Sequence, residues 1–73
     1  MVKNLEERLN KYWGWYKKSD VDYSIEDFKE SWGECEELVA KAFLIEFISY
    51  KEYDECKEIL EKYANVIYAV MAL

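Results

Sequence analysis

The stretch FLIEFISYKEY, Phe43 to Tyr53, decides how this chain folds. Its first half, FLIEFI, is apolar on every side of a helix except at Glu46. Its second half, ISYKEY, carries the signature of a helix start. Ser49 is a candidate N-cap, Glu52 stands three residues on, and Ile48 and Tyr53 occupy the hydrophobic-staple positions. If a helix ends here and another begins, the chain turns back on itself. If not, the two halves form one long kinked rod, because their apolar stripes stay nearly in register through Ser49. FLIEFI reads as the end of a helix contacted from two directions, since nothing nearby signals a partner for a strand. Glu46 lies along the stripe, where an unpaired carboxylate costs several kcal/mol. It therefore marks a helix end that reaches water, or it pairs with Lys or Tyr across an interface.

Working outward, the third helix is expected over residues 50–72. Tyr53, Cys56, Leu60, Tyr63, Ile67 and Val70 recur at the three-and-four spacing of a packed helix face. Upstream, YSIEDF repeats the start signature, with Ser24 at the N-cap, Asp27 at N3, and Tyr23 and Phe28 as the staple. From there Ile25, Phe28, Trp32, Cys35, Val39 and Ala42 form a stripe, and the second helix is placed at 24–48. KKSDVDYS, residues 17–24, reads as a loop. Before it, Val2, Leu5, Leu9, Tyr12, Trp13 and Tyr16 fall on one face and predict a first helix over 2–17. Gly14 points away from that face, at a cost of about 1 kcal/mol relative to Ala. The expected fold is all-α, a small three-helix bundle in one domain spanning 1–73.

Composition agrees. The 73 residues include no Pro and two Gly, so turns must be few and short. A chain this short buries roughly 60% of its unfolded surface. Yet 52% of the residues are hydrophobic and 18% aromatic. Some of that surface is expected to face a second copy. A homodimer is anticipated, with Phe43, Leu44, Phe47 and Ile48 at the interface.

The net charge of −6 is split unevenly. Residues 1–18 hold five Lys/Arg against two Glu, and the remainder holds five Lys against fourteen Asp/Glu. An acidic body repels nucleic acid and anionic lipid and suits a basic partner. Neither a membrane nor direct nucleic acid is expected as a ligand. The N-terminus is charged and lacks the apolar core of a signal peptide. No apolar run approaches the roughly 20 residues of a membrane span. A cytoplasmic protein with reduced thiols is anticipated.

The chain has no His and two Cys, Cys35 and Cys56. Two thiols cannot complete a four-ligand zinc site. If the chain reverses near Ser49, the two lie roughly 10 Å apart along the helix axes, too far for a disulfide. Buried, inert thiols are expected, with no cofactor or metal. Catalytic machinery is absent from the pattern, and an enzyme is not expected.

Two groups of residues are candidates for partner binding. Glu34 and Glu37, with Asp54, Glu55, Glu58 and Glu61, lie on the outer faces of the second and third helices. The alternative for them is a plain solvated face. The other group is in KYWGWYKK, Lys11 to Lys18, where Trp15 sits off the core stripe beside Lys11 and Arg8. Trp and Arg are common interface hot spots, and a cation over an indole is attractive. The alternatives are docking of this basic helix on the acidic body and, least favoured, contact of residues 8–18 with a membrane or with single-stranded nucleic acid.

In size, acidity and lack of catalytic groups, the chain resembles the small acidic proteins with which phages block restriction or CRISPR nucleases. Some of those imitate the charge of DNA. The resemblance is one of type, carried by no motif. It implies an inhibitor or adaptor that covers a basic, nucleic-acid-binding surface of a partner. The other reading is a structural homo-oligomer with no such role.

Overall fold

The computed structural model describes residues 1–18 and 22–73. It holds three α-helices: α1 (Val2–Lys17), α2 (Ile25–Leu44) and α3 (Tyr50–Met71). Each packs on the other two, and no strand occurs among the described residues. Residues 19–21 of the expected loop lie outside those described.

The helix starts form for local reasons. Ser24 accepts a bond from the Asp27 N–H at 3.2 Å, and the Asp27 carboxylate accepts one from the Ser24 N–H at 2.9 Å. Ser49 and Glu52 repeat the arrangement at 3.2 and 3.5 Å. Each box satisfies two main-chain donors that would otherwise lack partners. α1 has no side-chain cap. An isolated helix of its length is marginal in water, so its packed face must hold it.

That face is the expected one. Leu5 and Leu9 are buried, and Val2, Tyr12 and Trp13 pack against the core. α2 contributes Phe28, Cys35, Val39 and Ala42; α3 contributes Cys56, Leu60, Tyr63 and Ile67. A run of rings threads all three helices. Tyr16 stacks on Trp13 at 5.3 Å between centroids, Trp13 meets Phe28 at 5.6 Å, and Phe28 meets Tyr63 at 6.1 Å. Such stacked, tilted and edge-on pairs add about 0.5–1.5 kcal/mol each beyond area burial.

The reversal between α2 and α3 excludes the single rod and corrects the expected end of the second helix. α2 stops at Leu44, four residues before the anticipated Ile48. The Phe47 N–H donates to the Ala42 carbonyl at 2.8 Å, and the Glu46 N–H to Phe43 at 3.1 Å. Glu46 between them has φ of 60°. This is a Schellman stop, whose left-handed residue is usually Gly. Because Ile45–Ile48 leave the helix, FLIEFI is not gripped from two sides. Ile48 turns into the core, while Leu44, Ile45 and Phe47 face solvent. Glu46 is exposed, in line with a helix end that reaches water.

Candidate functional site

The expected site residues fall into three places. The carboxylates lie where the helical spacing puts them. Glu34 and Glu37 on α2 are exposed, as are Asp54, Glu58 and Glu61 on α3, while Glu55 is half-buried. Lys57 and Lys62 are exposed on the same stretch of α3. Among the described residues, no group of three or more Cys, Asp or Glu is arranged to hold a metal ion.

The second place is the basic helix. Lys11 Nζ lies 5.1 Å from the centre of the Trp15 ring, as the one-turn spacing suggests. Arg8 does not join it. Its Nε donates a 2.8 Å hydrogen bond to the Tyr12 hydroxyl, and its guanidinium lies 5.7 Å from the Tyr12 ring centre. Arg8 and Tyr12 are one helical turn apart, so the nearer aromatic takes the cation. That bond, more than any other influence, raises the Arg8 pKa, with smaller contributions from Cys35 and Glu34.

Trp15 is half-buried because of a residue the sequence reading assigned only to a staple. Tyr23 meets Trp15 edge-on at 5.6 Å and stacks with Tyr12 at 6.4 Å. Its hydroxyl shares a 2.7 Å hydrogen bond with Ser31 Oγ. Burial raises the Tyr23 pKa, and the Ser31 bond partly offsets this. The cluster thus fastens α1 to the start of α2 through aromatic contacts and a hydroxyl hydrogen bond. One edge still opens to solvent in a shallow depression lined by Glu7, Arg8, Lys11, Tyr12 and Trp15.

The third place is the turn. Of the four residues expected at an oligomer interface, Ile48 is buried in the chain's own core and Phe43 is half-buried, stacked on Tyr53 at 4.2 Å. Leu44 and Phe47 are open, at 78% and 73% exposure. Ile45 and Tyr50, not singled out from the sequence, are equally open at 74% and 72%. The four form an apolar tip at the end of the bundle. Beside it lies a groove of about 310 Å³ lined by Met1, Leu5, Arg8, Leu38, Val39 and Phe47. The signal that could have found the groove is Leu38, an apolar residue outside the core stripe of α2.

Both thiols are buried, Cys35 at 1% exposure and Cys56 at 0%, and neither is in a disulfide. Burial raises both pKa values; Arg8 partly offsets this at Cys35. No helix among the described residues is long and apolar enough to cross a membrane.

No protein-family model matches this chain, and neither a curated protein nor a solved structure matches it.

Proposed function

We propose that this chain is a non-catalytic protein-binding module, an inhibitor or adaptor that covers a basic surface of another protein. The observation that carries the reading is the outward placement of the carboxylates. Asp54, Glu58 and Glu61 are exposed on one face of α3. They span about 10 Å of helix axis. A DNA strand sets about three phosphates in the same length. A protein surface built to hold nucleic acid is therefore the partner class that suits this face, and blocking such a surface is the role that follows. The net charge of −6 steers encounter with a basic partner.

The test is capture from the native host with two baits, the unchanged chain and an Asp54→Lys, Glu58→Lys, Glu61→Lys variant. The expected result is a basic, nucleic-acid-binding protein held by the first and lost by the second. Its retention should fall as salt rises from about 0.1 M toward 1 M, where screening shortens to about 3 Å. A partner held equally by both baits, or insensitive to salt, overturns the reading.

A second reading, compatible with the first, is that the chain works as a homodimer. The exposed tip of Leu44, Ile45, Phe47 and Tyr50 favours it, because a small domain seldom leaves four large apolar side chains open in one place.

A further inference from the structure

We infer that two copies of this chain pair through a two-fold seam in which the tip of each α2–α3 turn seats in the groove of the other. This rests on the homodimer reading and specifies its contacts.

A two-fold interface must be self-complementary, so one surface patch has to carry both a projection and a receptacle. This patch does. Leu44 and Ile45 project from the turn. The groove, of about 310 Å³, is walled by Met1, Leu5, Leu38 and Val39. Phe47 belongs to both, since it stands in the tip and lines the groove, so the two features adjoin. A two-fold axis beside Phe47 therefore serves both insertions at once.

The area suits a second copy. The four tip side chains leave on the order of 600 Å² open, at the upper limit of what a monomer's largest patch reaches. Leu38 and Met1, 47% and 38% exposed, extend the patch toward the ~800 Å² per partner of a standard specific interface. Charge suits it as well. Glu46 sits exposed within the tip, and Arg8 lines the groove. Seating the tip brings opposite charges together at the rim of the seam.

The projection is also rigid. The Schellman stop at Glu46 and the Ser49 capping box hold the turn from both sides. Little main-chain ordering remains to be lost on association, which favours binding.

The experiment is sedimentation equilibrium of the full chain over a wide concentration range. The variants are Ile45→Asp in the tip and Leu38→Asp in the groove. Both positions are exposed, so circular dichroism should report unchanged helix content. A carboxylate forced into an apolar seam should weaken dimerisation about tenfold or more in each case. Glu46→Lys and Arg8→Glu should each weaken it, and the double variant should recover most of the loss. A dimer unaffected by Ile45→Asp and Leu38→Asp overturns this seam and leaves the homodimer standing. An unchanged chain that stays monomeric throughout overturns both. Binding to neutral phosphatidylcholine vesicles that Ile45→Asp abolishes, by a chain that does not self-associate, assigns the tip to a lipid surface instead.

Discussion

The indole N–H of Trp32 donates a 2.8 Å hydrogen bond to the main-chain carbonyl of Leu60. A side chain of α2 is thereby fixed to the backbone of α3 at mid-helix. Apolar stripes alone set how deeply two helices bury each other, and they tolerate sliding by a turn. A directional bond to one carbonyl does not. Trp32→Phe keeps most of the ring contact and loses the bond, so it should destabilise by about 1–2 kcal/mol. Trp32→Ala also removes the ring and should cost about 3 kcal/mol or more. Urea unfolding followed by helix signal checks both, and a Trp32→Phe chain as stable as the unchanged one would show that the bond contributes nothing.

The two glycines are a direct route to a more stable chain. A Cβ built at Gly14 or at Gly33 meets nothing within 4 Å, and both residues lie inside helices. Replacing either with Ala should stabilise by about 0.5–1 kcal/mol, through helix propensity without a steric penalty. The gains should add when the two are combined, because the sites lie on different helices. Thermal and urea midpoints of the single and double variants are the measurement.

Glu46 holds a positive φ that suits glycine. Glu46→Gly should therefore stabilise the turn, and Glu46→Asn should do so less. About 1 kcal/mol is expected for Gly, reduced by its greater freedom in the unfolded chain. The unfolding midpoint should be compared at a concentration where sedimentation shows one species. A loss of stability would mean that the Glu46 carboxylate makes a contribution the turn geometry does not reveal.

Alkaline pH should unfold the chain earlier than neutral pH. Burial raises Cys35, Cys56 and Tyr63, and burial also dominates the rise at Tyr23. All four are acids favoured in their neutral form by the folded state. As pH rises, the unfolded chain releases their protons first, so this stability is complete below the ordinary thiol value of about 8.5. It is lost as pH climbs through the raised values of the folded thiols, and the tyrosines extend the loss above about 10. Unfolding midpoints from pH 7 to about 10.5 should fall accordingly. A disulfide-exchange reagent at pH 8 should label two thiols at once in denaturant and slowly without it. Rapid labelling of the native chain would contradict the burial.

Much of this fold was legible because it is written locally. Ser24 with Asp27 and Ser49 with Glu52 announce two helix starts, and the period of Leu5, Leu9, Phe28, Val39, Leu60 and Ile67 announces which faces meet. The end of α2 was not legible. The residue that stops it is Glu46, a type seldom found in the left-handed conformation, and no Gly or Asn stands there to signal it. Without that stop, Ile45 reads as helix and Ile48 as part of an interface with a second copy; in the fold Ile48 is in the chain's own core and Ile45 is exposed outside the helix. The partner of Arg8 was misread for another reason. Spacing places Lys11 and Tyr12 within reach of neighbours one turn away, but it does not rank rings, and Arg8 takes Tyr12 rather than Trp15. The role of Tyr23 depends on α1 folding over α2, which no local pattern encodes.

The adjoining stop and start around Glu46 and Ser49 also bear on the order in which the structure assembles. Both are made from contacts within six residues, so they can form before any distant part of the chain arrives. The α2–α3 hairpin is then expected to zip outward from its bend, with the uncapped N-terminal helix docking last. Ser49→Ala should slow refolding, and Leu9→Ala should mainly hasten unfolding.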